Sequence, residues 1–249
     1  MENKRARKIY LLIISLITIL AMVFGTVHHV GRYIGFGNSF FSNIFSTSSG
    51  KSVSETVTLD GPVSELYIDA DVANISIKYG DDLSVYYCYP EDIKPNINLE
   101  NEVLSIDFNG EPEINTESDN YKLTITIPND CALSYAEITA DVGNVKMSGI
   151  KTDKLSVEAD LGNITLRDMD VNSLEADVEL GNMTITDSTV KTSDLLVEMG
   201  NYEASGSFNE ISCDVEMGNI TIDSDIDADD MILDLDYSMG SCKVNGNTY

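Results

Sequence analysis

The most constraining feature of this chain is a corner that recurs at a nearly fixed spacing. Seven times a segment of alternating apolar and polar residues ends at a short corner, which is Gly-Asn in five of the seven cases. Counted from the corner, the apolar residues occupy even positions before it and odd positions after it, which is a change of parity. After the second corner the spacings are 19, 19, 19, 18 and 22 residues. A fixed period near 20 residues is typical of repeat arrays. The corner residues are Asn74, Asn144, Asn163, Asn182, Asn201, Asn219 and Ser241.

The change of parity predicts two strands in each repeat. Counted from the corner, positions −8, −6, −4 and −2 are apolar, as in Leu174, Ala176, Val178 and Leu180. Past the corner the apolar positions are +1 and +3, as in Met183 and Ile185. Alternate side chains on a strand share one face, so we expect all of these positions to line one interior. The fold class is therefore all-β, a β-solenoid of two-strand coils of roughly 19 residues.

A third apolar position in several repeats predicts a short extra side before the next coil. It is occupied by Ile150, Met169, Phe208 and Ile226. Because its pattern is less regular, we expect this side to be more loosely packed, and Val190 belongs to it.

The corner itself needs residues that tolerate unusual backbone geometry. Glycine adopts conformations closed to other residues, and asparagine tolerates the left-handed region while its amide bonds locally. The predicted structural corner residues are Asn74, Gly143, Asn144, Gly162, Asn163, Gly181, Asn182, Gly200, Asn201, Gly218 and Asn219.

The long interval between the first two corners interrupts the repeat. Runs at 83–89, 103–108 and 122–127 have strand character, and a polar loop occupies 111–120. We expect irregular coils or hairpins there that cap the membrane-proximal end of the stack. The number of coils between residues 78 and 135 stays open.

The N-terminus predicts the compartment. Four basic residues lie in a tail at 1–8, and residues 9–27 carry no charge. At 1.5 Å per residue this run is about 28 Å long, close to the hydrocarbon thickness of a membrane. The predicted domains are a cytoplasmic tail at 1–8, a transmembrane helix at 9–30, a juxtamembrane linker at 31–54 and an extracytoplasmic β-solenoid at 55–249. A cleaved signal peptide is the alternative, but no small-residue cleavage motif follows the run.

Charge limits the partners. The net charge is −27, and residues 1–30 carry +3, so the remainder carries −30. Such a surface repels nucleic acid and anionic lipid, which leaves cations, basic polypeptides and neutral surfaces. The acidity also has a simpler reading, in which it keeps an exported β-stack soluble.

The acids are patterned. Position −3, on the outward parity, is occupied by Asp71, Asp141, Asp160, Glu179, Glu198 and Glu216. Stacked coils would align these carboxylates into a column. Such a column either is simply solvated or binds calcium, and the sequence leaves both interpretations open. The candidate metal-binding residues are Asp141, Asp160, Glu179, Glu198 and Glu216. A second acidic run at 223–236 resembles the start of a calcium loop but lacks its glycine and its final glutamate.

No catalytic residues are predicted. The only histidines, His28 and His29, lie at the membrane boundary, so no histidine-assisted nucleophile is available in the solenoid. Cys213 and Cys242 fall at inward positions. Cys88 and Cys131 lie in the irregular part, and a disulfide between these two is a possibility that the sequence allows but does not favour.

The segments "VSELYIDADVANISIKYGDDLSVYY", "VEADLGNITL" and "VEMGNITI" resemble the bacterial putative-adhesin family of β-strand-repeat proteins, domain of unknown function 4097. The resemblance covers most of residues 55–249. It implies a membrane-anchored, non-enzymatic binding or scaffolding module of a bacterial envelope, with cell-wall material or an envelope protein as partner. The alternative is an accessory or sensor subunit of an envelope-stress membrane complex. The resemblance implies no cofactor and no catalytic site.

Overall fold

A computed structural model describes residues 52–91, 93–108 and 121–249. They form β1 (Ser52–Thr58), β2 (Glu65–Val72), β3 (Asn74–Gly80), β4 (Ser84–Pro90), β5 (Pro95–Glu100), β6 (Val103–Phe108), β7 (Lys122–Pro128), β8 (Leu133–Val142), β9 (Val145–Ser148), β10 (Lys151–Leu161), β11 (Ile164–Arg167), β12 (Asp170–Leu180), β13 (Met183–Met199), β14 (Tyr202–Ser224), β15 (Ile232–Val244) and β16 (Asn247–Thr248). One 3₁₀ turn spans Ala228–Asp230.

The described chain is a β-solenoid. On the side before the corner, β2, β8, β10, β12, the later part of β13, the middle of β14 and the first part of β15 pair in parallel, one strand from each coil. On the side after the corner, β3, β9, β11 and the start of β13 do the same. Equivalent residues lie in register, so Ala159 is paired with Ala140 and with Val178. The predicted all-β solenoid is confirmed.

The predicted anchor at 9–30, the tail at 1–8 and the loop at 111–120 lie outside the described residues. Within the described ranges, no helix has the length and apolar character that a membrane crossing requires. β1 begins at Ser52, so the last three residues assigned to the linker belong to the first strand.

The long interval between the first corners closes one end of the stack. β6 pairs in parallel with β2, and β7 with β3, so this interval contributes one further coil. That coil lies on the side of β2 and β3 away from β8 and β9. Antiparallel strands then flank it, with β5 against β6, β4 against β7, and β1 against β4. Hairpins and a cap are therefore present, as expected.

The interior follows the predicted parity with one exception. Positions −8, −6, −4, +1 and +3 are buried in coil after coil, as in Leu174, Val178 and Ile185. Position −2 is not interior, because the pairing between coils skips position −3 and the −2 side chain beyond this break faces outward. Leu161 and Leu180 remain 47% and 41% exposed. The prediction that −2 lines the core was wrong.

The third side is as tightly packed as the other two. Ile150, Met169 and Phe208 are at most 2% exposed, whereas Ile226 is only partly buried. Val190 is 1% exposed, between Val171 and Phe208 in the register of neighbouring coils. The expectation of looser packing at Val190 was wrong, because an apolar column is completed there by neighbouring coils.

A charge placed at a buried position of either side, before the corner or on the third side, should therefore lower the free energy of unfolding by a similar amount. Val178→Asp and Val190→Asp each leave a carboxylate without a partner in the core, and we expect each to lower the free energy of unfolding by several kcal/mol. Leu161→Asp, at the exposed −2 position, is the matched control and should change it by less than about 1 kcal/mol. Thermal melting checks this, and a mild effect of Val190→Asp beside a severe one of Val178→Asp would contradict it.

Candidate functional site

A ladder of asparagine side chains runs along the corner of the stack. The backbone N–H and Nδ2 of each corner asparagine donate to Oδ1 of the asparagine one coil before. From Asn182 to Asn163 the donor–acceptor distances are 2.9 Å for N–H and 3.2 Å for Nδ2. Among the described residues the ladder runs from Asn74, whose Oδ1 accepts from Asn144 across 70 residues of sequence, to Ser241, whose Oγ donates to Asn219.

The ladder corrects the expected role of the corner asparagines. Their amides bond between coils rather than locally, and positive φ occurs instead at other non-glycine residues such as Asp168 and Asp187. The glycine before each asparagine from Asn144 to Asn219 is required by close approach, whereas Ala73 precedes Asn74. A methyl group on Gly162 would fall on the carbonyl oxygen of Gly143. Only at positions such as Gly143, with φ of +139°, does backbone conformation also demand glycine.

A shallow groove of about 570 Å³ follows the ladder. It is lined by corner amides and by four outward +2 side chains, two hydroxyls and two opposite charges. Thr165 and Thr184 stand beside Asn163 and Asn182, with Lys146 and Glu203 at the ends. This side of the solenoid is therefore polar and close to neutral, unlike the side before the corner.

Removing one rung of the ladder should weaken the stack. Asn182→Ala deletes its donation to Asn163 and two bonds that its Oδ1 accepts from Asn201. We expect a loss of about 1–3 kcal/mol, which corresponds to a fall in Tm of about 2–4 °C per kcal/mol. Thr184→Ala, in the same groove, should have little effect. Equal Tm values for the two variants would show that the ladder adds no stability.

The side before the corner is strongly acidic. Here the outward −3 position forms the acidic column: Asp71, Asp141, Asp160, Glu179, Glu198 and Glu216. A second groove, of about 530 Å³, lies on the same side and is lined by carboxylates that include Glu175, Asp177 and Asp214. The ion pairs among the described residues involve no member of the acidic column: Lys151 pairs with Asp170 at 2.8 Å, and Lys154 pairs with Glu175 of the second groove at 3.4 Å.

Crowding on this side changes the ionisation of its carboxyl groups. Partial burial, followed by the charge of Asp160, raises the pKa of Asp177 above its usual value. Burial and the neighbouring carboxylates, Glu179 first, likewise raise the pKa of Glu198. Asp177 Oδ1 is buried without a hydrogen-bond donor among the described residues. The charged forms are therefore less stable in the folded protein than in the unfolded chain.

The described carboxylates do not converge. Nowhere in 52–91, 93–108 and 121–249 do three Asp, Glu, His or Cys side chains come close enough together to hold a metal ion. The acidic run at 223–236 is divided between the end of β14, the 3₁₀ turn and β15. Calcium binding to the acidic column stays a prediction.

The raised pKa values predict greater stability in mild acid. A carboxyl whose folded pKa exceeds its unfolded value destabilises the fold while ionised, so stability should rise as the pH falls through the folded pKa and level off near the ordinary value of about 4. We expect Tm to increase as the pH is lowered from 7 toward about 4. Asp177→Asn/Glu198→Gln should raise Tm at pH 7 and reduce that increase.

Asp81→Asn/Asp82→Asn is the control, since it removes two exposed charges away from this side. It should leave the pH-dependent increase in Tm nearly intact. Equal effects of the two double variants would assign the increase to net charge alone.

A line of exposed apolar side chains separates the two sides. It consists of the −2 residues, which we name the apolar ridge: Val72, Val142, Leu161, Leu180, Met199, Met217 and Met239. Leu161, Leu180, Met199 and Met239 are 38–47% exposed, and the others are partly buried. Sequence reasoning missed this surface because the −2 residues are as apolar as the core. Six of the seven ridge residues directly follow a member of the acidic column in sequence, and Met239 follows Ser238, so the two lines run side by side except at the last coil.

The structure indicates no disulfide and no reactive thiol among the cysteines of the described residues. All four are free thiols, and Cys213 and Cys242 are buried in the core. Burial raises the pKa of Cys213 to about 12, which makes its thiol inert. The nearby Tyr202 hydroxyl is fully buried and has no hydrogen-bond partner among the described residues.

Comparisons with known proteins match this architecture. The model of the Toastrack DUF4097 family matches residues 63–236. A putative adhesin from Bacteroides fragilis shares 14% identity over 78% of this chain and 96% of its own, with a TM-score of 0.50. A putative cell adhesion protein from Clostridium sporogenes shares 12% identity over 70% of this chain and 100% of its own, with a TM-score of 0.42. A search of curated proteins gave no match.

Proposed function

Because the chain belongs to the Toastrack DUF4097 family, we propose that it is a non-enzymatic, adhesin-like binding or scaffolding module of a bacterial cell envelope. In this proposal residues 9–30 cross the membrane once, the N-terminus lies in the cytoplasm, and the solenoid stands outside. The basic tail and the uncharged run after it support that topology.

The observation that carries the proposal is the form of the solenoid surface. Its side chains are arranged in parallel columns: acidic at −3, apolar at −2 and amide at the corner. Catalysis needs a nucleophile, a base and a stabilising group that converge on one reacting atom. Here like groups repeat along the stack beside open grooves, an arrangement suited to binding an extended partner at many weak points.

The charge of the solenoid supports a particular class of partner. With −30 beyond residue 30, the exported part repels nucleic acid and anionic lipid. Cell-wall material and other envelope proteins remain as the proposed partners. The name of the Bacteroides fragilis neighbour, a putative adhesin, agrees with this proposal.

The test measures sedimentation of the full-length chain with purified cell-wall material. We expect the chain to pellet with the wall, and a chain whose residues 9–30 are replaced by an unrelated membrane anchor to pellet equally, since binding lies in the solenoid. Recovery of the chain in the supernatant at all wall concentrations would contradict the proposal.

The anchor replacement also separates the proposal from its alternative. An accessory or sensor subunit would act through contacts of residues 9–50 with a membrane partner, so the replacement would abolish its effect on envelope-stress signalling. Protease added to intact protoplasts serves as the control for topology, because it should remove the solenoid in both chains.

A further inference from the structure

We propose that the apolar ridge, together with the acidic column beside it, is a docking line for a basic amphipathic helix of a partner protein. The inference rests on the proposed binding function and names the kind of partner that one of its surfaces would take. It is carried by three features of the described residues: exposure of the ridge, its spacing and length, and the charge of the column.

The exposure of the ridge is unusual for an isolated β-stack. Single exposed apolar side chains are normal, whereas contiguous apolar lines rimmed by polar residues mark interaction sites. Leu161, Leu180 and Met199 come from three consecutive coils and are each more than a third exposed. Three members of the ridge are methionines, whose flexible side chains adapt to irregular partners.

The spacing of the ridge favours a helix over an extended strand. Consecutive coils are about 4.8 Å apart, and an α-helix presents one side chain per turn of about 5.4 Å to a line beneath it. A strand repeats the same face every 6.6–6.8 Å or so, which leaves a mismatch of about 2 Å per coil, against about 0.6 Å for the helix. Six intervals give a ridge about 29 Å long, the length of a helix of about 19 residues.

The acidic column determines the charge of the helix. Its carboxylates accompany the ridge from Val72 to Met217, and the ion pairs among the described residues involve no member of the column. A second copy of the chain would bring a further net charge of −27, and anionic lipid would add more negative charge. A helix with lysine or arginine along the flank of its apolar stripe removes the repulsion instead.

The experiment uses a synthetic peptide of about 19 residues with leucines along one helical face and lysines along the adjacent flank. Its binding is measured by fluorescence anisotropy on the full-length chain, held in discs of zwitterionic lipid, with empty discs as the blank. We expect saturable binding that weakens as salt rises. A peptide of the same composition, permuted so that leucines and lysines are mixed around the helix, should bind at least about tenfold more weakly.

Variants of the chain locate the site. Leu161→Gln/Leu180→Gln should raise the Kd of the peptide by about tenfold or more. Ile232→Gln removes a side chain that is 63% exposed on β15, away from the ridge, and should change the Kd by less than about twofold. Glu179→Gln/Glu198→Gln should raise the Kd and reduce its salt dependence more than Asp81→Asn/Asp82→Asn, which makes the same change in net charge.

Several results would overturn the inference. These are absence of peptide binding, equal binding of the permuted peptide, and equal Kd values for the ridge and Ile232 variants. A further one is a full-length chain that is dimeric until Leu161→Gln/Leu180→Gln makes it monomeric, which would assign the ridge to a second copy. Melting temperatures of the variants that do not fall below that of the parent chain show that loss of binding is not loss of the fold.

Failure here is distinguishable from failure of the proposed function. If the ridge variants bind the peptide normally while the chain still pellets with cell-wall material, the docking line is wrong and the binding module stands. If the peptide binds at the ridge but the chain never pellets with the wall, the docking line stands and the cell-wall partner is wrong.

Discussion

The close contact of coils at the corner is the constraint on which the rest of the structure depends. There the backbone of one coil lies directly against the next, so that a methyl group on Gly181 would overlap the carbonyl oxygen of Gly162. The Oδ1 of the asparagine that follows, Asn182, accepts hydrogen bonds from the backbone N–H and the Nδ2 of Asn201 in the next coil. The glycine contact and the asparagine hydrogen bonds together prevent one coil from sliding along the next. A shift of one residue would bring an asparagine side chain to the position where only glycine fits. Every position counted from the corner therefore repeats as a column.

The sequence was sufficient to predict the repeat, the two strands of each coil and the corner, because each depends on local alternation and on a spacing that recurs. It was insufficient at −2, where Leu161 and Leu180 are as apolar as residues of the core. Parity applies only while the chain stays extended, and the turn begins before the glycine that marks it. The looser third side was wrong for another reason: Val190 is buried by neighbouring coils, and a pattern within one repeat does not report packing between repeats.

The neighbours along the stack also differ from the neighbours along the chain. Asn74 bonds to Asn144 although 70 residues separate them, because the intervening strands extend the stack in the opposite direction. A reading by sequence order places the irregular strands between two coils. The structure places them at the end, where β6 and β7 pair in parallel with the first regular coil and antiparallel strands cover their outer edges. An open parallel edge would otherwise be free to pair with other chains.

Columns of identical residues have a cost that depends on chemistry. For amides, stacking makes a hydrogen bond at every rung. For carboxylates at about 4.8 Å, each pair repels by roughly 0.9 kcal/mol in water, and burial adds to the cost, as the raised pKa of Asp141 and Glu198 shows. A fold that needed only solubility has neutral alternatives at these positions, since the hydroxyls on the other side of the same solenoid are tolerated without repulsion. The acidic column lies next to the one apolar line that the stack leaves exposed among its described residues. That placement is more readily explained by a basic partner that covers both lines than by solvation of either one.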